Sequence, residues 1–316
     1  MGVRVLSLFD GISVGYSALI REGFAIEKYY ASEIDRFAIA VSAANHPGIL
    51  QVGCIKALDT RALAELGRID ILLAAPPCQG FSPAGKRLGF GHAQSRLYYD
   101  FLRVLREVKP TWFLIENVAS PQLIEALKEA LKNDLGGITP IVINSALVSG
   151  QNRVRVYFTN IAHVCQPNDR GIRLSDVIGP YDYIWRYPRG NNNRTKLDDI
   201  TKCPTLTTSN WKHNFKIMRS GTLLPFTAEQ AETLQTLPVG YTASVSDKQR
   251  FRLLGNAWTL DVITHILSAL RTVEEKNNTG RQEDDADTCE EQTTAETQDK
   301  LCCRGEERGL PKKRCF

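Results

Sequence analysis

Val3-Arg4-Val5-Leu6-Ser7-Leu8-Phe9 runs into Asp10-Gly11-Ile12-Ser13-Val14-Gly15 and then into Tyr16-Ser17-Ala18-Leu19-Ile20-Arg21-Glu22-Gly23. An apolar run, a glycine-bearing turn and a helical pattern closed by glycine form a strand–turn–helix start. The alternation continues outward from there. Lys28 to Ser32 reads as a second strand ended by Glu33, and Phe37 to Ala44 as a helix. Ile49 to Cys54, Ile69 to Ala75, Trp112 to Glu116 and Pro140 to Asn144 give further strands, with helices at Tyr98 to Val108 and Pro121 to Asn133. Strands alternating with helices predict an α/β fold with a doubly wound, mainly parallel sheet over residues 1–160.

Regularity fades after Asn160. Gly179-Pro180, Arg189-Gly190-Asn191-Asn192-Asn193-Arg194 and Asn210-Trp211-Lys212-His213-Asn214 are loop signals without helical period, so residues 161–225 read as a small irregular module. Thr227 and Gln230 form a capping-box pattern that starts a helix. Phe251 to Val273 is expected as the last helical stretch, after a turn at Leu254-Gly255-Asn256, so that residues 226–273 return to the first domain. Residues 274–316, rich in Glu, Asp, Thr and Gln, read as a disordered tail.

Composition narrows the class. Of 316 residues, 43% are hydrophobic and 23% charged, enough for a sizeable core. From Glu274 onward there are 8 Lys/Arg against 12 Asp/Glu, net −4, which leaves 31 against 23 and net +8 in the body. A basic body suits a polyanionic partner. No apolar stretch is long enough to span a bilayer and the start has no signal-peptide pattern, so an intracellular, non-membrane protein is expected. Pro311-Lys312-Lys313-Arg314 resembles a nuclear-targeting cluster, an address that applies only in a eukaryotic host. The eight cysteines show no paired CxxC spacing, which argues against a structural metal or a disulfide framework.

Chemistry-bearing residues gather at the strand ends. Pro76-Pro77-Cys78-Gln79-Gly80-Phe81-Ser82 sets a thiol on a stiff support where a parallel sheet opens onto its ligand crevice. A nucleophile fits this place, as does a small buried thiol. The turn Asp10 to Gly15 lacks G-x-G-x-x-G, which argues against a dinucleotide and favours a cofactor without pyrophosphate, S-adenosylmethionine being the leading example. Glu33 stands where ribose hydroxyls are held, although a solvated carboxylate has the same pattern. Glu116-Asn117-Val118 opens onto the crevice of Cys78, where a sheltered carboxyl can donate a proton. Gln151 to Phe158 alternates as a strand and puts Arg153 and Arg155 on one face, either to orient a carboxylate or phosphate or as a basic edge strand.

Together these segments resemble the cytosine-5 DNA methyltransferase family. Phe9-Asp10-Gly11-Ile12-Ser13-Val14-Gly15, Pro76-Pro77-Cys78-Gln79, Glu116-Asn117-Val118, Gln151-Asn152-Arg153-Val154-Arg155 and Leu254-Gly255-Asn256-Ala257-Trp258 are similar to five of its motifs, in family order, over about Val3 to Leu270. The first and last also resemble the de novo eukaryotic branch and its phage relatives. The resemblance implies a Rossmann-like methyltransferase fold, S-adenosylmethionine as cofactor, double-stranded DNA as partner, no metal, and a monomer. It implies Cys78 as nucleophile toward C6 of a flipped-out cytosine, Glu116 at N3, Arg155 at the carbonyl oxygen and at Glu116, and Arg153 near the nucleophile or a phosphate. Cofactor contacts are implied at Phe9, Asp10, Gly11, Ile12, Glu33, Ile34, Cys54, Ile55, Pro77, Leu97, Asn256, Ala257 and Trp258. Gln79, Ser82, Lys86, Arg87, Thr207, Thr208, Trp211, Lys212, His213 and Arg219 are the candidates for DNA contact. Gln79 to Arg96, with four glycines, has the composition of a loop that closes over an extruded base.

One departure stands out. Where the family commonly places an acidic residue after the glycine of Gly53-Cys54-Ile55, this chain has Cys54, so weaker cofactor affinity is expected. Methylation of tRNA by the same chemistry and a noncatalytic DNA-binding paralogue are the competing functions.

Overall fold

Strands buried on both faces explain the layers. The computed structural model describes residues 2–77, 96–135, 138–186, 195–197, 200–208 and 215–279. Met1–Glu274 form one compact unit and Glu275–Phe316 a second. Strands β1 (Val3–Leu8), β2 (Ile26–Ser32), β3 (Leu50–Gln51), β4 (Ile71–Ala74), β5 (Trp112–Val118), β6 (Ile141–Asn144) and β7 (Val154–Thr159) build a seven-stranded sheet in the order β3-β2-β1-β4-β5-β7-β6. β1 to β5 are parallel, whereas β7 runs antiparallel between β5 and β6. Val5, Leu73, Leu114 and Tyr157 join the core on one side, and Leu6, Leu72, Phe113 and Phe158 the core on the other. That parity follows from the two-residue period of a strand buried on both faces.

Helices α1 (Val14–Arg21), α2 (Arg36–Asn45), α3 (Thr60–Leu66), α4 (Arg96–Val108) and α5 (Pro121–Leu135) connect the strands. α2 and α3 start at Asp35 and Asp59, whose carboxylates accept from the backbone of Phe37 and Ala62. The expected strand from Ile49 to Cys54 pairs only at Leu50–Gln51, because Gly53 at φ 76° turns the chain into the 3-10 turn Ile55–Ala57. β5 is longer than the pattern suggested and carries Glu116 and Asn117 within it. β7 starts only at Val154 and is no edge strand, since β5 and β6 flank it, while Gln151 bridges to Cys203 instead.

The segment expected to be irregular contains α6 (Leu174–Ile178) and a second sheet. Strands β8 (Tyr183–Arg186), β9 (Thr195–Leu197), β10 (Phe215–Arg219) and β11 (Thr222–Pro225) pair antiparallel in the order β11-β10-β8-β9. Helix α7 (Ala228–Leu234) begins with the expected capping box, Thr227 Oγ1 accepting from Gln230 N at 3.2 Å and Gln230 Oε1 from Thr227 N at 3.0 Å. Leu254-Gly255-Asn256 is not a turn. It closes helix α8 (Asp247–Asn256), and the break falls at residues 257–259, before α9 (Leu260–Thr279). α9 continues through residues 274–279, which the sequence assigned to a disordered tail; the remainder of that tail lies outside the described residues.

Candidate active site

A cleft of about 410 Å³ lies along the carboxyl ends of β1, β2, β4 and β5. Parallel strands open their ligand crevice at that end. Its first wall is the turn after β1, where Phe9, Gly11 and Ser13 adopt φ of 57°, 60° and 59°. Left-handed geometry at Phe9 and Ser13 is costly for residues with a Cβ, and the turn is held by bonds from several directions. Phe9 N donates to Ser32 O at 2.9 Å, Gly11 N to Glu33 Oε2 at 2.8 Å, and Ser13 Oγ to Asp10 Oδ2.

Glu33 serves this wall more than the sequence indicated. Its Oε1 accepts from the backbone of Ile34 at 2.7 Å and Asp35 at 2.8 Å, so with Gly11 it already holds three N–H groups. A carboxylate has about four lone-pair sites, which leaves room on Oε2 for one hydroxyl. Asp10 accepts from Tyr29 Oη at 2.7 Å. Removal from water raises its carboxyl to about 6, against the lowering by hydrogen bonds from Ser13, Ser7 and Tyr29. Ile34, 74% exposed, offers an apolar surface in the cleft, and half-buried Cys54 and buried Ile55 line it alongside Leu97.

The opposite wall carries the acid. Glu116 on β5 is only 8% exposed, and its register partner is Tyr157 on β7. Arg155, two residues away along β7 and so on the same face, reaches diagonally, with Nε 2.9 Å from Glu116 Oε1. The indole Nε1 of Trp258 donates to Glu116 Oε2 at 3.2 Å. The next strand residue, Asn117, is buried and its Nδ2 donates to the carbonyl of Pro76 at 3.0 Å. The proline support is thereby tied to the strand that carries the acid. Cys78, the residue after Pro77, lies outside the described residues, as do Gln79, Ser82, Lys86, Arg87, Trp211, Lys212 and His213.

Arg153 lines the same cleft yet does different work from that expected. Its side chain is buried, with Nη1 donating to Leu206 O at 3.0 Å and Nη2 to Gly255 O at 3.2 Å and Ala257 O at 2.8 Å. Both terminal nitrogens are occupied by carbonyls, so the guanidinium cannot present its fork to a phosphate. Burial, then the neighbouring Arg155, pull it down to about 9, which leaves it charged at neutrality. Its Nε is buried and has no partner among the described residues.

Thr207 and Thr208 are exposed, and their backbone lies on Gly255, where an added Cβ would come within 2.5 Å of it. They belong to the cleft margin and not to the second sheet. Arg219 does not stand free for DNA. Its Nε donates to Pro180 O at 2.7 Å and its Nη2 to Ile178 O, holding the turn after α6. Asn256, Ala257 and Trp258 line the cleft. Sequence reasoning missed the anchoring role of Asn117 and the bond from Trp258 to Glu116. The motif Glu-Asn-Val held the first signal, but nothing in the sequence pairs residues 116 and 258.

The family model for C-5 cytosine-specific DNA methylases matches residues 3–220. The chain belongs to that family. The type II methyltransferase M.NlaX of Neisseria lactamica is 26% identical to this methylase, over 85% of this chain and 96% of that relative. The orphan methyltransferase M.SPRI of Bacillus phage SPR is 32% identical over 50% of this chain, which spans 38% of the phage protein. Among solved structures, the S. pombe Dnmt2 methyltransferase superposes with a TM-score of 0.67 at 21% identity, over 86% of this methylase and 99% of that chain. The Entamoeba histolytica methyltransferase EhMeth does so with a TM-score of 0.66 at 16% identity, over 86% and 99%. At these identities the structures attest the Rossmann-like fold.

Proposed function

We propose that the protein transfers a methyl group from S-adenosylmethionine to carbon 5 of cytosine in double-stranded DNA, with Cys78 as the covalent nucleophile. The observation that carries this is Glu116, buried and held by Arg155 and Trp258, on the strand that also anchors the Pro76-Pro77 support of Cys78. The other wall suits the cofactor: carboxylates at Asp10 and Glu33 answer a cation and a hydroxyl, and exposed Ile34 an aromatic ring.

Cytosine C5 is a weak nucleophile within an aromatic ring. Addition of the Cys78 thiolate to C6 breaks the C5–C6 double bond, and Glu116 hydrogen-bonds or protonates N3 as electrons move there. Bound S-adenosylmethionine supplies the electrophilic methyl that C5 attacks. Loss of the C5 proton then restores the double bond and expels the thiolate. Arg155 holds Glu116 in place and keeps positive charge beside the base, while Arg153 fixes the backbone around it. The base must leave the duplex first, since C6 is not reachable while stacked.

Methyl transfer to duplex DNA and to tRNA, followed by sequencing of methylated cytosines, tests the reading. Transfer to DNA at defined cytosines is expected; transfer to tRNA alone overturns the substrate. Against a noncatalytic role stands the intact set Cys78, Glu116 and Arg155.

Two further results are expected of the cofactor wall. Cys54→Asp restores a strong acceptor, and S-adenosylmethionine should bind about tenfold more tightly, the worth of one hydrogen bond to a charged group; calorimetric titration showing equal or looser binding would contradict this. Asp10 answers the cofactor's positive charge only when ionised. Its raised value of about 6 means that affinity holds above that pH and falls below it, by up to about tenfold per unit. Asp10→Asn should flatten the profile between pH 5 and 7 on the same titration, in the manner expected when one ionisation is removed.

A further inference from the structure

We infer that Trp258 is a positioning residue for Glu116, and not only a wall of the cofactor cleft. This rests on the methyl-transfer function proposed above.

The geometry around the carboxylate is closed on two sides. Oε1 is held by Arg155 Nε at 2.9 Å and Oε2 by the Trp258 indole N–H at 3.2 Å. One donor on each oxygen fixes the plane of the carboxylate, whereas Arg155 alone would leave it free to turn about its last torsion. Glu116, Arg155 and Trp258 all line the cleft.

The indole is itself held independently of any ligand. It sits in the break between α8 and α9, 9% exposed, with the residue on either side pinned. Ala257 O accepts from Arg153 Nη2 at 2.8 Å and Gln235 Nε2 at 3.2 Å, and Thr259 Oγ1 donates to Gln235 Oε1 at 2.9 Å. Across from it, Gly15 on α1 leaves no more room: an added Cβ would approach Trp258 Cζ3 to 3.4 Å and Leu73 Cδ1 to 2.5 Å. A ring wedged between a helix and a buried carboxylate, with its only polar hydrogen on that carboxylate, acts on the acid through direction as well as packing.

Two measurements test this. In the unliganded protein, Glu116→Gln should move the Trp258 indole proton resonance upfield, because a charged acceptor is replaced by a neutral one. In the loaded enzyme, Trp258→Phe, or benzothienylalanine at 258 to keep the indole shape without the N–H, should lower kcat by about tenfold or more. With benzothienylalanine the Kd for S-adenosylmethionine should stay within about twofold, since the ring contact is kept and only the N–H that bonds Glu116 is lost. An unmoved indole resonance, an unchanged kcat, or a fall in kcat matched by an equal loss of cofactor affinity would each overturn the assignment. If the unaltered protein methylates no nucleic acid, the proposed function fails, and the indole resonance still judges the contact.

Discussion

Cys78→Ser is expected to abolish methyl transfer, lowering kcat by at least about four orders of magnitude, the scale seen when an enzyme loses its nucleophile. A thiol ionises near about 8.5, so part of it is thiolate near neutrality. A serine hydroxyl has no such anion to offer, and no general base among the described cleft residues stands ready to make one. Glu116 has both oxygens engaged by Arg155 and Trp258, and Asp10 faces the other wall. Cofactor and DNA affinities should change by no more than a few fold, because serine is nearly isosteric and Pro76 stays tied to Asn117. Single-turnover transfer of labelled methyl, with binding measured in parallel, gives the answer; undiminished methylation would refute the nucleophile.

The second large effect belongs to Gly255→Ala. An added Cβ would stand 2.3 Å from Thr207 C, 2.4 Å from Thr207 O and 2.5 Å from Thr208 N, all backbone atoms. That segment cannot step aside cheaply. Leu206 O is held by Arg153 at 3.0 Å, Leu206 N by Gln151 Oε1 at 2.7 Å, and Thr205 Oγ1 reaches Asn152 O at 2.6 Å. The substitution should cost about 3 kcal/mol or more, at the upper end of overpacking effects, and lower Tm by about 5 °C or more. Gly48→Ala is the control, since its added Cβ meets nothing within 4 Å. Equal melting of the two variants would show that the 205–208 segment yields.

What the sequence revealed and what it hid have physical causes. Asp10, Glu33 and Pro77 were legible because each follows an apolar strand, and Glu116 because it ends the apolar run of one, and a parallel sheet gathers such ends at one crevice. The second sheet was hidden because its strands are three to five residues long and pair across intervening loops. Leu254-Gly255-Asn256 looked like a turn, yet this glycine lies in a helix, where a crossing backbone comes too close for a Cβ. Arg153 was placed near the nucleophile by the resemblance of its motif, and its observed partners are carbonyls, which leave no mark on a sequence. The contact between Glu116 and Trp258 spans 142 positions and had no local signal at all.

The hold of Arg153 on the Leu206 carbonyl also bears on how such a protein can be re-engineered. Residues 203–206 are hydrogen-bonded at Cys203, Thr205 and Leu206 to the segment 150–153, so they behave as part of the catalytic body, although they precede β10 in the second sheet. A chimera that exchanges the second sheet has to do so in two pieces, one ending before Cys203 and one starting after Leu206, with those four residues kept native, or it will break the hydrogen bond that holds Arg153 beside the cleft.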